Sequence, residues 1–151
     1  MINTIALLLL FLTVTLSMGG GLYEILVIYP NWKHDVDPYT LRDKLNSSGM
    51  MNAARRFWPQ VLLSMINIIM ACTYHGAGLA CWLTAAVLIF LNRIFTFSYF
   101  IPVMIRQIMQ PEKIEAGRLS AIVKQWTALS PVRLIPEFAA WCLLVAALMG
   151  M

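Results

Sequence analysis

Charge is what this chain has least of. Of its 151 residues only 12% are Asp, Glu, Lys or Arg, while 60% are hydrophobic. A soluble domain carries about 25% charged residues. The scarcity excludes an ordinary water-solvated globule and leaves a membrane protein, read here as one domain spanning 1–151. The net charge of +4 is no nucleic-acid signature, because no basic run is interleaved with aromatics; no nucleic-acid partner is expected. Histidine is almost as sparse. His34 and His75 fall on opposite membrane sides in the topology derived below, so they cannot ligate one metal. His34, beside Asp35 and Asp37, reads as a solvated side chain, with a general base or a surface metal ligand as the less favoured readings. The three cysteines, Cys72, Cys81 and Cys142, have no CxxC spacing. They are expected to pack as small apolar residues, with a Cys72–Cys81 bridge as the less favoured arrangement. There is no HExxH, GxSxG, phosphate-loop or dinucleotide motif and no histidine-rich set. No metal and no cofactor is therefore expected.

What the chain has instead is long apolar runs. Four stretches, 5–29, 57–74, 79–109 and 132–151, approach the about 20 residues that a helical crossing needs. They predict an all-α integral membrane four-helix bundle. The first run lacks a positive leader and outlasts a signal-peptide core of about 7–15 residues, so it reads as a retained crossing. The third is overlong and must tilt, kink at Pro102 or project beyond the bilayer. The positive residues sort by connection. Lys33, Arg42, Lys44, Arg55 and Arg56 lie in the first, and Arg106, Lys113, Arg118, Lys124 and Arg133 in the third. Both termini and the turn at 75–78 hold none. That asymmetry places the first and third connections in the cytoplasm and both termini outside, as expected for a multi-pass protein of a bacterial inner membrane in contact with lipid. Asp37-Pro38 caps a short helix over 38–45. Ile114, Leu119, Ile122, Val123 and Trp126 recur at near-helical spacing against Lys113, Arg118 and Lys124. They predict an amphipathic helix at the cytoplasmic interface before the last crossing.

One cation stands deep inside an apolar run: Arg93. A guanidinium at bilayer depth costs about 2.5–3.5 kcal/mol on insertion scales, so it needs a partner or a cavity. Polar or small residues form one stripe per crossing at three-to-four spacing, which sets them on one helical face. The stripes are Thr13, Ser17, Gly20 and Glu24; Gln60, Ser64 and Asn67, running on to Ala71; Asn92, Thr96 and Tyr99 with Arg93 at their edge; and Trp126, Ser130, Arg133, Glu137 and Trp141. Lipid cannot solvate such faces, so they turn inward. Glu24 and Glu137 each lie five residues from a cytoplasmic helix end, about 8 Å deep, and the stem of Arg93 can reach toward that side. The expected site is a cluster of Glu24, Arg93 and Glu137 lined by Asn67, Asn92, Thr96 and Tyr99. Against a ligand cavity stand a proton or ion path, a purely structural ion pair that holds the helices together, or a local Arg133–Glu137 contact. Pro136 is expected to kink the last crossing.

Several short stretches carry a resemblance. Gly20-Gly21-Leu22-Tyr23-Glu24 followed by Tyr29-Pro30-Asn31-Trp32, then Phe57-Trp58-Pro59, the run 96–102, and the run 126–133 resemble the anthrone-oxygenase-like family of small four-helix membrane proteins. For a few members the resemblance implies oxygenation of an anthrone to an anthraquinone without an obvious metal or flavin. It points to Glu24, Trp32, Trp126 and Arg133 as candidate residues. The physical reading is compatible with it. A flat, lipophilic, aromatic or quinone-like molecule would enter a cavity walled by Phe95, Tyr99, Trp126 and Trp141. A carboxylate would take a ring proton, and Arg93 or Arg133 would stabilise the enolate. The competing class is non-enzymatic: a lipid- or quinone-binding module, or a subunit of a homo-oligomer or of a partner complex.

Overall fold

The computed structural model describes residues 1–32, 38–47 and 58–150. Helices and the turns that join them account for these segments, with no strand among the described residues. Helix α1 runs Ile2–Ile28, α2 Pro38–Ser47, α3 Trp58–Cys72, α4 Leu79–Ile108, α5 Ala116–Leu129 and α6 Leu134–Met149. A 3₁₀ turn, Ser130–Arg133, joins α5 to α6 without breaking the helical path. The short helix α2 is described over Pro38–Ser47, two residues longer at its far end than the 38–45 expected from the sequence; Asp37 lies outside the described residues. Phe57 and the residues around His34 lie outside the described residues.

Among the described residues, three helical runs are long and apolar enough to cross a membrane: α1, α4, and the continuous run Gly117–Met149. The apolar helix α3 has 15 residues, about 22 Å at 1.5 Å per residue. Helix α4, at 30 residues, is about 45 Å long and exceeds the about 30 Å hydrocarbon thickness. Each of α1, α3, α4 and α6 presents large apolar side chains outward, among them Leu12, Leu62, Leu91 and Ile135. A water-facing monomer rarely exposes so much contiguous apolar surface.

Helix α4 packs along both α3 and α6, and α1 packs against the same two neighbours, leaving α1 and α4 across a diagonal. Where they meet, small residues let backbones approach. Ala85 and Ala86 of α4 and Ala140 and Ala147 of α6 are buried with Leu7, Leu10, Val14, Trp82, Ile89 and Leu144 in one apolar cluster. Among polar side chains, Asn67 accepts the indole N–H of Trp82 at 2.9 Å and donates to the Leu63 carbonyl at 2.8 Å. A second cluster lies at the other end: Tyr29, Phe100, Met104, Ile108 and Trp126. The apolar stripe of α5 packs onto the far end of α4, around Met104 and Ile108. Leu119 and Trp126 are buried, and Ile122 and Val123 pack against the second cluster. The reason is the length of α4, which offers α5 a protein surface beyond the helices it packs along.

Prolines shape the long helices. Two π-helical turns, Glu24–Ile28 and Thr96–Phe100, stand in the same register before Pro30 and Pro102. In each the residue just before the proline donates its N–H five residues back, Tyr29 to Glu24 and Ile101 to Thr96. Proline lacks the donor for the normal bond and its ring crowds the preceding turn; widening that turn by one residue relieves both. The overlong α4 thus continues through Pro102 without breaking. Pro136 falls in the first turn of α6, just after the 3₁₀ turn, where a proline is tolerated. All three cysteines are free thiols, so the Cys72–Cys81 bridge does not form.

Glycine packing gives a direct test. A Cβ on Gly78 would meet the Ala147 carbonyl oxygen at 2.8 Å, a backbone atom that cannot step aside. A Cβ on Gly117 would meet nothing within 4 Å. Gly78→Ala is expected to cost about 1–3 kcal/mol, seen as a lower thermal midpoint in detergent. Gly117→Ala is expected to hold or raise that midpoint through helix propensity.

Candidate functional site

Between the two apolar clusters lies a cavity of about 440 Å³ lined by residues of α1, α3, α4, the 3₁₀ turn and α6. Its walls include Ser17, Glu24, Tyr29, Gln60, Arg93, Ser130, Arg133 and Glu137. The carboxylates and the guanidinium expected to converge, Glu24, Glu137 and Arg93, thus line one compartment, but not as one cluster: Arg93 pairs with Glu137, and Glu24 pairs with Arg133.

The inner pair is Arg93 with Glu137. Both side chains are 3% exposed, and the guanidinium donates to the carboxylate. The same Arg93 nitrogen donates to Ser17 Oγ at 2.7 Å, and Ser17 Oγ donates to Glu137 Oε1 at 3.1 Å. The three side chains form a closed triangle across α1, α4 and α6. The local Arg133–Glu137 contact does not form among these side chains, because Glu137 is committed to Arg93.

The outer pair is looser. Tyr29 Oη donates to Glu24 Oε2 at 3.1 Å, and Arg133 Nη2 lies 3.8 Å from that oxygen. These side chains, Arg133 and Glu24, keep 16% and 22% of their surface exposed. The Arg133 guanidinium carbon also sits 4.2 Å from the centroid of the Phe100 ring, a cation–π contact. Asn92 steadies this turn from α4 by donating to the Arg133 carbonyl at 3.1 Å.

Other expected lining residues stand elsewhere. Asn67 belongs with Trp82 in the first apolar cluster. Thr96 returns its hydroxyl to the Asn92 carbonyl at 2.8 Å. Tyr99 stacks on Phe95, and its neighbour Phe100 takes the inward position. Trp126 is buried and donates its indole N–H to the Phe100 carbonyl at 3.1 Å, beside the π turn. Trp141 pairs with Phe11 and Phe138 on the flank of α6. The aromatic walls expected from Phe95, Tyr99, Trp126 and Trp141 are therefore absent from the cavity, which has Tyr29 as its aromatic among the described residues. The backbone of Trp32 belongs to the short helix Tyr29–Trp32; its side chain lies outside the described residues.

Tyr29 and Gln60 carry weight that sequence patterning did not assign to them. In a regular helix Tyr29 would sit about 140° around from Glu24, since each residue advances about 100°. The π turn between them brings the phenol back onto the Glu24 face. Gln60 was part of a visible stripe; what distinguishes it is structural. It is 4% exposed, lines the cavity, and its Nε2 has no hydrogen-bond partner among the described residues. Among the described residues, no three His, Cys, Asp or Glu side chains come together as metal ligands. No family model, curated protein or solved structure matches this chain.

The inner pair yields a stability test. Arg93→Leu leaves the Glu137 carboxylate buried against an apolar side chain and is expected to cost about 3–5 kcal/mol. Adding Glu137→Leu should restore most of that loss. Glu24→Gln, at a half-open pair, is expected to cost about 1 kcal/mol or less. Thermal unfolding of the purified variants in detergent reads all of these values.

Proposed function

We propose that this chain crosses the membrane four times and binds a lipophilic aromatic or quinone-like small molecule in the cavity between its helices. The observation that carries the reading is the cavity itself: about 440 Å³ of space at a level where both neighbouring layers are filled by apolar side chains. That volume is in the range of small-molecule sites, about 300–1,000 Å³. Helix α3 serves as the fourth crossing: Leu62, Met65, Ile66 and Ile69 are all exposed along it, an apolar face suited to lipid. The distribution of Lys and Arg supports termini outside and the α4–α5 hairpin in the cytoplasm, with α5 lying at that face.

The resemblance to anthrone oxygenases adds a reaction to this reading. Glu24 is the carboxylate suited to accept a proton from the substrate, because its partners are a phenol and a guanidinium 3.8 Å away. Arg133, held at the same wall, would stabilise the enolate. Dioxygen then adds to the carbanion carbon; the hydroperoxide loses water and leaves the new carbonyl, so one anthrone and one O₂ give one quinone and one H₂O. In this scheme Glu137 and Arg93 hold the helices rather than touch the reacting carbon. A non-enzymatic ligand carrier, or a subunit whose charges are structural, is the second reading. It is favoured by the fact that each carboxylate in the cavity already has a cationic partner within the chain.

Two measurements test these proposals. In a background with Cys72, Cys81 and Cys142 replaced by Ala, Gly76→Cys should react with an impermeant maleimide from outside intact cells, and Lys113→Cys only after lysis; the reverse pattern would sink the topology. Purified protein in nanodiscs should accelerate dioxygen uptake in the presence of anthrone, with Glu24→Gln slower by at least about a hundredfold. Unchanged uptake in the variant would remove the catalytic reading and leave the carrier.

A further inference from the structure

We infer that lipid-soluble carbonyl compounds enter the cavity sideways from the bilayer, through the gap at Gly20, and are held there by the Gln60 amide. This inference rests on the binding reading above and adds the route and the chemical handle. The route follows from which lining residues are open. Leu16, 77% exposed, and Gly20 on α1, with Pro59 on α3, all line the cavity and all face outward. Gly20 lies nine residues before Tyr29, about 13 Å along the helix, and Leu16 about 6 Å further. The mouth therefore runs along α1 toward the middle of the bilayer, where the surrounding medium is acyl chain.

Glycine at position 20 is not demanded by helix packing. A Cβ there would meet nothing within 4 Å, whereas one on Gly21 would meet Leu134 Cδ2 at 2.7 Å. The missing side chain at position 20 leaves open space at the edge of the cavity. Gly19 is equally open but does not line it, so the adjacent glycines make a matched pair for experiment.

The handle is Gln60. Its buried Nε2 is a donor with no acceptor among the described residues, and a donor left unsatisfied away from water is costly. A ligand oxygen placed there completes it. The cavity's charges cancel within their own pairs, Arg93 with Glu137 and Arg133 with Glu24. A charged ligand would have to break one of those pairs to gain its own. A neutral carbonyl needs only the free amide.

Anthraquinone and anthracene make suitable probes, since they share three fused rings and differ in the carbonyl oxygens. Wild-type protein in nanodiscs should retain anthraquinone with about tenfold higher affinity than anthracene, one hydrogen bond's difference. Gln60→Leu should erase the preference while still retaining anthracene. For the route, Gly20→Cys and Gly19→Cys are placed in a background with the native cysteines replaced by Ala and labelled with pyrenylmaleimide. Label at position 20 should block uptake when added first and slow release when added after loading; label at position 19 should do neither. If wild type retains neither probe, this inference and the binding reading fall together. Equal retention of both probes, or a preference that survives Gln60→Leu, overturns the Gln60 handle alone. Equal effects of the two labels overturn side entry alone.

Discussion

The buried pair of Arg93 and Glu137 is the constraint on which the rest of the structure depends. Two full charges in an apolar layer are tolerated only when they meet with good geometry and their remaining hydrogen-bonding capacity is used. Meeting that condition sets the height of α6 against α4, and Ser17 extends it to α1. Slide any of these helices by one turn, about 5.4 Å, and a charge is stranded. Non-directional apolar packing between α1, α3, α4 and α6 would tolerate several registers; the pair selects one. The cavity is the space left beside this lock, at the level where the fourth neighbour, α3, contributes an amide, Gln60, in place of a charge.

The prolines supply the second constraint. Placing a π turn before Pro30 and before Pro102 keeps both long helices continuous while rotating everything beyond the turn. On α1 the rotation carries Tyr29 onto Glu24. On α4 Phe100, four residues after Thr96, continues the inward face beside the Arg133 guanidinium, while Tyr99 stacks on Phe95. The Tyr29–Glu24 hydrogen bond therefore depends on the widened turn, while the Glu24–Arg133 pair joins two different helical segments. The pair stays partly open, with Arg133 and Glu24 16% and 22% exposed, whereas Leu10, Ile89 and Leu144 in the first cluster are fully buried.

How much of this was legible in the sequence follows from the same turns. Up to each one, a period of 3.6 residues reads correctly. Thr13, Ser17, Gly20 and Glu24 do share a face on the cavity, and Arg93, Ser130, Arg133 and Glu137 join them. Within the turn at Glu24–Ile28 the period changes, so spacing alone does not bring Tyr29 to Glu24. On α4 the stripe Asn92, Thr96 can continue at either Tyr99 or Phe100 by three-to-four spacing, and the structure takes Phe100. Asn67 was legible as inward but not as the partner of Trp82, because inwardness alone does not say which level of the molecule a side chain serves. The aromatic walls failed for a related reason. Trp126 and Trp141 are polar-tipped aromatics at stripe positions, yet their N–H groups are claimed by the Phe100 carbonyl and the Thr15 hydroxyl. The stripe of α5 was legible as amphipathic; that α4 is long enough to cover it is a fact about length rather than pattern.

The division into two apolar clusters has a thermodynamic consequence. In the orientation proposed, the first cluster is bathed by lipid and the second lies at the level of the hydrated headgroups, on the stretch where α4 outruns the hydrocarbon core. Lipid tails are as oily as leucine, so the embedded end is held by close fit and hydrogen bonds. The protruding end is held by the expulsion of water, a force that fades on cooling and is weakened by urea. One chain of helices is thereby anchored by unlike forces at its two extremities. In that proposed orientation, chilling or chaotrope loosens the headgroup-level end first, while delipidation loosens the opposite pole.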